Sequence, residues 1–196
     1  LSAGLFFFPR YGGYRPYDPA QKERTVSDLQ LVSWILTQCA SIDEVKERLA
    51  SIRVAGLEPA SVVHWRIGEP SGRQVVLEIV GGEARFFENP VGVLTNAPGF
   101  EWQLTNLDNY VNLRPGNAEP LTLGTHTLLP TGSSSGMLGL PGDATPPSRF
   151  VRAAFYRATA PQQADTFGAV VQCFHLLNLF DIPIGIEHPA DDAPDI

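Results

Sequence analysis

The sequence predicts an α+β domain in which helices pack on antiparallel sheets, and its hydrophobic spacing carries that prediction in three stretches. First comes helical spacing. Ser27 followed by Gln30 forms a capping box, after which Leu29, Val32, Ile35, Leu36 and Cys39 share one face. A second box, Ser41 with Glu44, starts another helix that turns Val45, Leu49 and Ile52 inward. The period then changes to two. Val62 to Ile67, Val75 to Val80 and Ala84 to Glu88 read as antiparallel strands joined by turns at Ser71-Gly72 and Gly81-Gly82, and Val91 to Thr95 reads as a further strand after Pro90. Helical spacing returns over Phe150 to Ala158 and Gln162 to Phe180, with Pro161 expected in the first turn of the latter.

The remaining segments fit around these elements. Leu5 to Phe8 is a short apolar run ended by Pro9 and reads as a buried strand. Tyr11 to Pro19 is rich in Tyr, Gly and Pro and reads as a loop. Arg114 to Asp143 is rich in Gly, Pro and Ser and lacks a long periodic segment, and a connection of that size is often functional. After Ile186 the chain turns acidic and Pro-rich. Neither a repeat nor an interdomain linker interrupts the pattern, so residues 1–196 are expected to form a single domain.

Bulk properties narrow the function. With 196 residues, 43% of them hydrophobic, the chain can build one sizeable core. A formal net charge of −7 argues against nucleic acid and anionic membrane surfaces as partners. No apolar run reaches the roughly 18 residues of a membrane-spanning helix. Leu1 to Pro9 lacks a basic start and a cleavage-type ending, so it reads as a strand cut by the chain boundary, not as a signal peptide. Cys39 and Cys173 lie on amphipathic helical stretches and read as two buried free thiols, with neither a disulfide framework nor a metal motif. They leave the compartment open.

Generic catalytic motifs are weak. Gly132-Ser133-Ser134-Ser135-Gly136 matches a nucleophile elbow in letters, but Pro130 precedes it and Leu138-Gly139-Leu140-Pro141-Gly142 follows, so a loop is expected. His64, His126, His175 and His188 show no metal-ligand spacing. His175 reads as a partly buried structural residue within an apolar helix, while His64 at a strand end and His126 in the long connection have no assigned role.

Two separated stretches are more specific. Glu88-Asn89-Pro90 leads through an apolar run to Thr95-Asn96, then to Gln103-Leu104-Thr105-Asn106-Leu107 and Asn109-Tyr110. Further on, Gly139-Leu140-Pro141-Gly142-Asp143 precedes Ser148-Arg149-Phe150-Val151-Arg152-Ala153-Ala154, and Ile182-Pro183-Ile184-Gly185 follows. In this order the segments resemble the choloylglycine hydrolase family, the linear amide C–N hydrolases that include bile salt hydrolases and penicillin V acylases. The resemblance covers most of the chain. It implies an N-terminal nucleophile hydrolase fold, a four-layer αββα sandwich with antiparallel sheets, represented here by a central portion incomplete at both ends.

The resemblance also implies a chemistry. An N-terminal cysteine thiolate attacks the amide, and its own α-amine, with a reference pKa of about 7.7–8.0, carries the proton. Asn96 falls where the family donates an amide N–H to the tetrahedral oxyanion, and a neutral amide donates there without adding a titrating group. Arg149 falls beside the nucleophile, where a permanent guanidinium charge favours thiolate. Phe6, Phe7, Thr95 and Phe100 are the expected substrate-binding residues, with Phe8, Tyr14 and Trp102 adding aromatic surface; core packing explains most of these aromatics equally well. Without the resemblance, Asn96 reads as a turn or cap, and Arg149 as a solvated charge or a partner for Asp143. Asn106, Asn109 and Asp143 read as structural caps and turns.

The departures from the family pattern are as specific. No cysteine precedes Cys39, and the family's Arg and Asp close behind the nucleophile are missing too. Phe6 or Phe7 falls where a second oxyanion contributor is found, and neither side chain donates. Cys39 has no free α-amine and sits among apolar neighbours, so it is not expected to substitute as nucleophile. The expected parent is therefore an amidohydrolase of conjugated bile salts or penicillin V, with acyl-homoserine lactones also open, and these 196 residues alone are expected to be inactive. The alternative is a non-catalytic remnant that keeps the fold and binds ligand or subunits. The resemblance implies no cofactor, no metal and a small-molecule amide substrate. It places a homotetramer contact in the 114–143 excursion and allows a cytoplasmic or periplasmic location.

Overall fold

Residues Ser2–Phe7 (β1), Val63–Gly68 (β4), Gln74–Val80 (β5) and Glu83–Glu88 (β6) form a four-stranded antiparallel sheet in the order β1-β4-β5-β6. The computed structural model describes residues 1–56 and 62–186, and it divides into two compact units, 1–109 and 110–196. The acidic tail expected after Ile186 lies outside the described residues.

In the first unit the strands follow the period-two reading closely. Val63, Trp65 and Ile67 alternate with His64 and Arg66, and β5 places Val75, Leu77 and Ile79 in the same core cluster. That face receives Leu31–Gln38 (α1) and Ile42–Leu49 (α2), whose Leu31, Ile35, Ile42, Val45 and Leu49 complete the cluster. Gly81 and Gly82 both take positive φ in the β5–β6 turn, a conformation that costs glycine little.

Helix α2 begins as its capping box predicts. Ser41 Oγ accepts from Glu44 N at 3.1 Å, while Glu44 Oε2 accepts from Ala40 N at 2.8 Å. The first box behaves differently. Ser27 Oγ accepts from Gln30 N at 3.3 Å, but Ser27 belongs to a strand, Thr25–Ser27 (β2), which pairs in parallel with Arg53–Ala55 (β3). The helix therefore starts only at Leu31, and its inner face shifts to Leu31 and Ile35, leaving Leu29 and Leu36 exposed.

Two further expectations are corrected around the β6 exit. Val91 to Thr95 is not a strand. Asn89 captures the backbone instead, with its Oδ1 accepting from Gly92 N at 2.8 Å and its Nδ2 donating to Val93 O at 3.1 Å, while Pro90 lacks a ladder donor. Val93 and Leu94 remain buried, so the apolar run reports burial and not pairing. Phe100–Leu107 (α3), not foreseen, is an α-helix entered from Gly99.

The second unit contains a short exposed hairpin within the 114–143 excursion, Leu121–Leu123 (β7) with His126–Leu128 (β8), followed by Pro146–Thr159 (α4) and Thr166–Leu177 (α5). Helix α4 begins earlier than its apolar spacing suggests because Pro146 and Pro147 suit the first turn. Helix α5 begins later, since Asp165 rather than Pro161 starts it by accepting from Gly168 N at 2.7 Å. On α5 Cys173 is exposed, against the buried placement expected, and so is His175, expected to be partly buried, whereas Cys39 is buried. Gly132 to Gly136 lies in turn and 3-10 structure with no strand before it, and Ser135 Oγ accepts from Ala118 N at 3.0 Å. It is no nucleophile elbow. Among the described residues no helix is long and apolar enough to cross a membrane.

Candidate active site: the Thr95–Asn96 loop and the Arg149 helix

The face of the sheet opposite the helices holds two buried polar side chains. His64 and Glu78 lie one step beyond the Trp65–Leu77 pair of the β4–β5 ladder, which brings them side by side. His64 is fully buried and Glu78 nearly so. His64 Nδ1 is 3.2 Å from Glu78 Oε1, and the imidazole stacks on Phe8 at 4.5 Å between centroids.

The segment carrying Asn96 crosses this face. His64 Nε2 lies 2.7 Å from Thr95 O, so the residue immediately before Asn96 is held through its backbone. Four residues past Asn96, Phe100 N donates to Glu78 Oε1 at 2.8 Å and takes the place of a side-chain cap on α3. Asn96 itself is half-buried between these anchors, and the Ala97–Pro98 peptide bond after it is cis.

Of the expected substrate-binding residues, Phe6, Thr95 and Phe100 converge here. The Phe6 ring meets His64 edge-on at 6.4 Å, and Phe100 is fully buried with its ring 6.3 Å from Phe87. Phe7 is 60% exposed. Of the other aromatics considered for an acyl pocket, Tyr14 packs on the helix-side core with its hydroxyl accepting from Val63 N at 2.9 Å, and Trp102 is half exposed.

Arg149 belongs to the second unit, in the first turns of α4, with its backbone N–H donating to Thr145 O at 2.9 Å. It is half-buried and lines a cleft of about 380 Å³ with Asp143, Arg152, Tyr156, Phe180 and Ile182. Arg152 shapes this cleft from below. Its Nη1 donates to Pro141 O at 3.0 Å and Asp143 O at 2.6 Å, and its guanidinium lies 5.4 Å from the Phe180 ring centre. Asp143 holds a structural turn before α4, within the cap-or-turn role expected. Its carboxylate accepts from Ser148 Oγ at 2.6 Å and from Thr145 N at 2.9 Å and Oγ1 at 2.5 Å.

Those donors, Ser148 first, hold the Asp143 carboxyl below its ordinary 3.8, at about 2. A carboxyl depressed in the folded state adds stability above its unfolded pKa, and that stability is lost as pH falls through the folded value. The Asp143 contribution is thus present above about pH 4 and lost between about pH 4 and pH 2. Asp143→Asn is expected to unfold at lower urea than the parent at pH 6, with the difference narrowing toward pH 2. Parallel urea titrations across that window check it, and a difference independent of pH would contradict it.

Cys39, the only cysteine before the Asn96 loop, ends α1 in the apolar core, and burial pushes its thiol pKa up, away from thiolate. From the sequence His64 had no assigned role and Glu78 was not named, although a signal exists. The tight connection between Gly68 and Gln74 sets the register and so places the two polar residues opposite each other on the non-helical face.

Known proteins resemble the chain over most of its length. The model of the family described as linear amide C–N hydrolases, choloylglycine hydrolase family, matches residues 1–195. A bile salt hydrolase/transferase from Clostridium perfringens is 32% identical, over 99% of this chain and 60% of its own length. One from Lactiplantibacillus plantarum is 37% identical, over 89% of this chain and 54% of its own. Among solved structures, a variant of conjugated bile acid hydrolase from Clostridium perfringens superposes with a TM-score of 0.84 at 30% identity, over 99% of this chain and 60% of that one. Penicillin V acylase from Agrobacterium tumefaciens shares the fold with a TM-score of 0.74 at 20% identity, over 96% of this chain and 52% of that one. The chain thus spans about 60% of the length of the Clostridium relative. These likenesses bear out the αββα fold class expected of the sequence, and the chain belongs to the choloylglycine hydrolase family of linear amide C–N hydrolases.

Proposed function

We propose that the polypeptide to which residues 1–196 belong hydrolyses linear amide C–N bonds, with conjugated bile salts as its substrate class. The observation that carries this reading is the family match over residues 1–195, with bile salt hydrolases at 32–37% identity. The likeness to penicillin V acylase, at 20% identity, speaks for fold alone. The nucleophile is an N-terminal cysteine thiolate supplied from outside this chain. It attacks the amide carbon, and the side-chain amide of Asn96 donates to the oxyanion that forms. The C–N bond then breaks, the amine leaves with the proton carried by the cysteine α-amine, and water hydrolyses the thioester. Arg149 adds a fixed positive charge that favours thiolate over thiol.

Phe6, Phe7 and Thr95 border the apolar acyl group in this reading, and Phe100, having no exposed surface, backs the pocket from beneath the loop. The assembly in this reading is a homotetramer. The test is to express the full reading frame, identify its mature N-terminal residue by mass spectrometry, and assay release of glycine and taurine from conjugated bile acids beside penicillin V. Release of glycine or taurine by a protein with N-terminal Cys supports the reading. A mature protein without that Cys and without amidase activity defeats it, and leaves the non-catalytic alternative.

A further inference from the structure

We propose that His64 and Glu78 are positioning residues for Asn96, acting as one buried hydrogen-bonded clamp that fixes both ends of the loop carrying it. The proposal rests on the reading of Asn96 as oxyanion donor, and its test separates the two.

Hydrogen-bond inventory defines the clamp. Thr95 O is an acceptor only, so His64 Nε2, 2.7 Å away, carries a hydrogen and donates it. Glu78 Oε1 accepts from Phe100 N at 2.8 Å and faces His64 Nδ1 at 3.2 Å, so a proton lies between imidazole and carboxylate. One continuous chain therefore runs from the Thr95 carbonyl through His64 and Glu78 to the Phe100 amide. Asn96 is the residue immediately after the first anchor.

The surroundings keep this chain in register. Phe8 stacks on the imidazole at 8° between planes, which fixes the ring orientation. Gly99 carries no side chain, and a Cβ there would stand 3.3 Å from Glu78 Oε2, so glycine leaves Glu78 room to reach the Phe100 amide. A buried His–Glu pair is costly unless its polar groups are satisfied, and here the hydrogen bonds that hold it run within the pair and to the Asn96 loop. An apolar pair would fill the same space and leave the loop unanchored.

The test uses the full polypeptide and compares His64→Gln with His64→Met. Gln places an amide N–H where imidazole Nε2 stood and can still donate to Thr95 O, whereas Met fills similar space without a donor. A packing role treats the two alike. Under the proposal, amide hydrogen exchange in peptides covering residues 93–103 speeds up in His64→Met and stays near parental in His64→Gln, with α2 peptides unchanged in both. Steady-state hydrolysis follows, with kcat down about tenfold in His64→Met, KM within about twofold, and most of kcat recovered in His64→Gln, as expected when a donor is displaced by a fraction of an ångström.

Glu78→Gln supplies an independent arm should His64→Met not fold. Both contacts fall on Oε1, where the carboxamide offers either its oxygen to the Phe100 amide or its NH2 to Nδ1, so one contact is lost and exchange within residues 93–103 accelerates. Equal exchange in the Gln and Met variants of His64, or parental exchange in Glu78→Gln, overturns the clamp. Discriminating exchange in a protein without amidase activity upholds the clamp and removes the catalytic reading of Asn96.

Discussion

Under the oxyanion role proposed for it, Asn96→Ala in the full polypeptide is expected to lower kcat by about 10²–10³ while KM stays within about twofold and the urea midpoint is retained. The size follows from the step affected. The oxyanion exists only in the transition state and the tetrahedral intermediate, so its donor contributes to kcat and not to ground-state binding. Retention of the fold follows from how the loop is held. Thr95 O and Phe100 N are anchored by His64 and Glu78, and Asn96→Ala leaves both anchoring residues in place. Asn96→Asp keeps the size but replaces the NH2 donor with an acceptor-only carboxylate facing the developing charge, so its loss should equal or exceed that of Ala. Parental kcat in Asn96→Ala would remove the oxyanion role from this residue.

What the sequence made legible follows from the range of the interaction that decides each element. Strands β4 to β6 were legible because a local alternation and glycine turns decide them. Helix α2 was legible because Ser41 and Glu44 cap it from within three residues. Helix α1 was displaced because Ser27 is drawn into a parallel pair with Ala55, a distant partner that no local spacing announces. Helix α3 was missed for the same reason, since its first amide is capped by Glu78, 22 residues away. The exposure of Cys173 and His175 has another origin, because spacing identifies an apolar stripe and not what covers it.

The candidate site divides along the same line. Asn96 and Arg149 stood out because each sits in a contiguous motif. His64 and Glu78 did not, because their meaning is a cross-strand meeting with a loop from elsewhere in the chain. Asn89 shows the opposite failure. Its side chain converts a β-prone apolar run into a turn, a local effect that strand propensity outvoted.

Trp65 gives the largest expected change in stability, and comparing two substitutions shows why. The side chain is fully buried in the core between β4 and the helices, with its ring 6.4 Å from that of Tyr14. Trp65→Ala removes the largest fully buried side chain of the sheet and leaves a cavity that the surrounding strands cannot close, so a loss of about 3–5 kcal/mol is expected. Its indole Nε1 has no hydrogen-bond partner among the described residues, a burial that costs about 1–3 kcal/mol. Trp65→Phe removes that orphaned donor together with part of the ring, and the two effects oppose each other. The expected net change is within about 1 kcal/mol, far from the Ala value, because removing an unsatisfied buried donor recovers its desolvation cost. Urea titrations of the three proteins with a common m-value measure both differences. A Phe variant as unstable as the Ala variant would mean that the indole N–H is satisfied in solution and that volume alone decides this position.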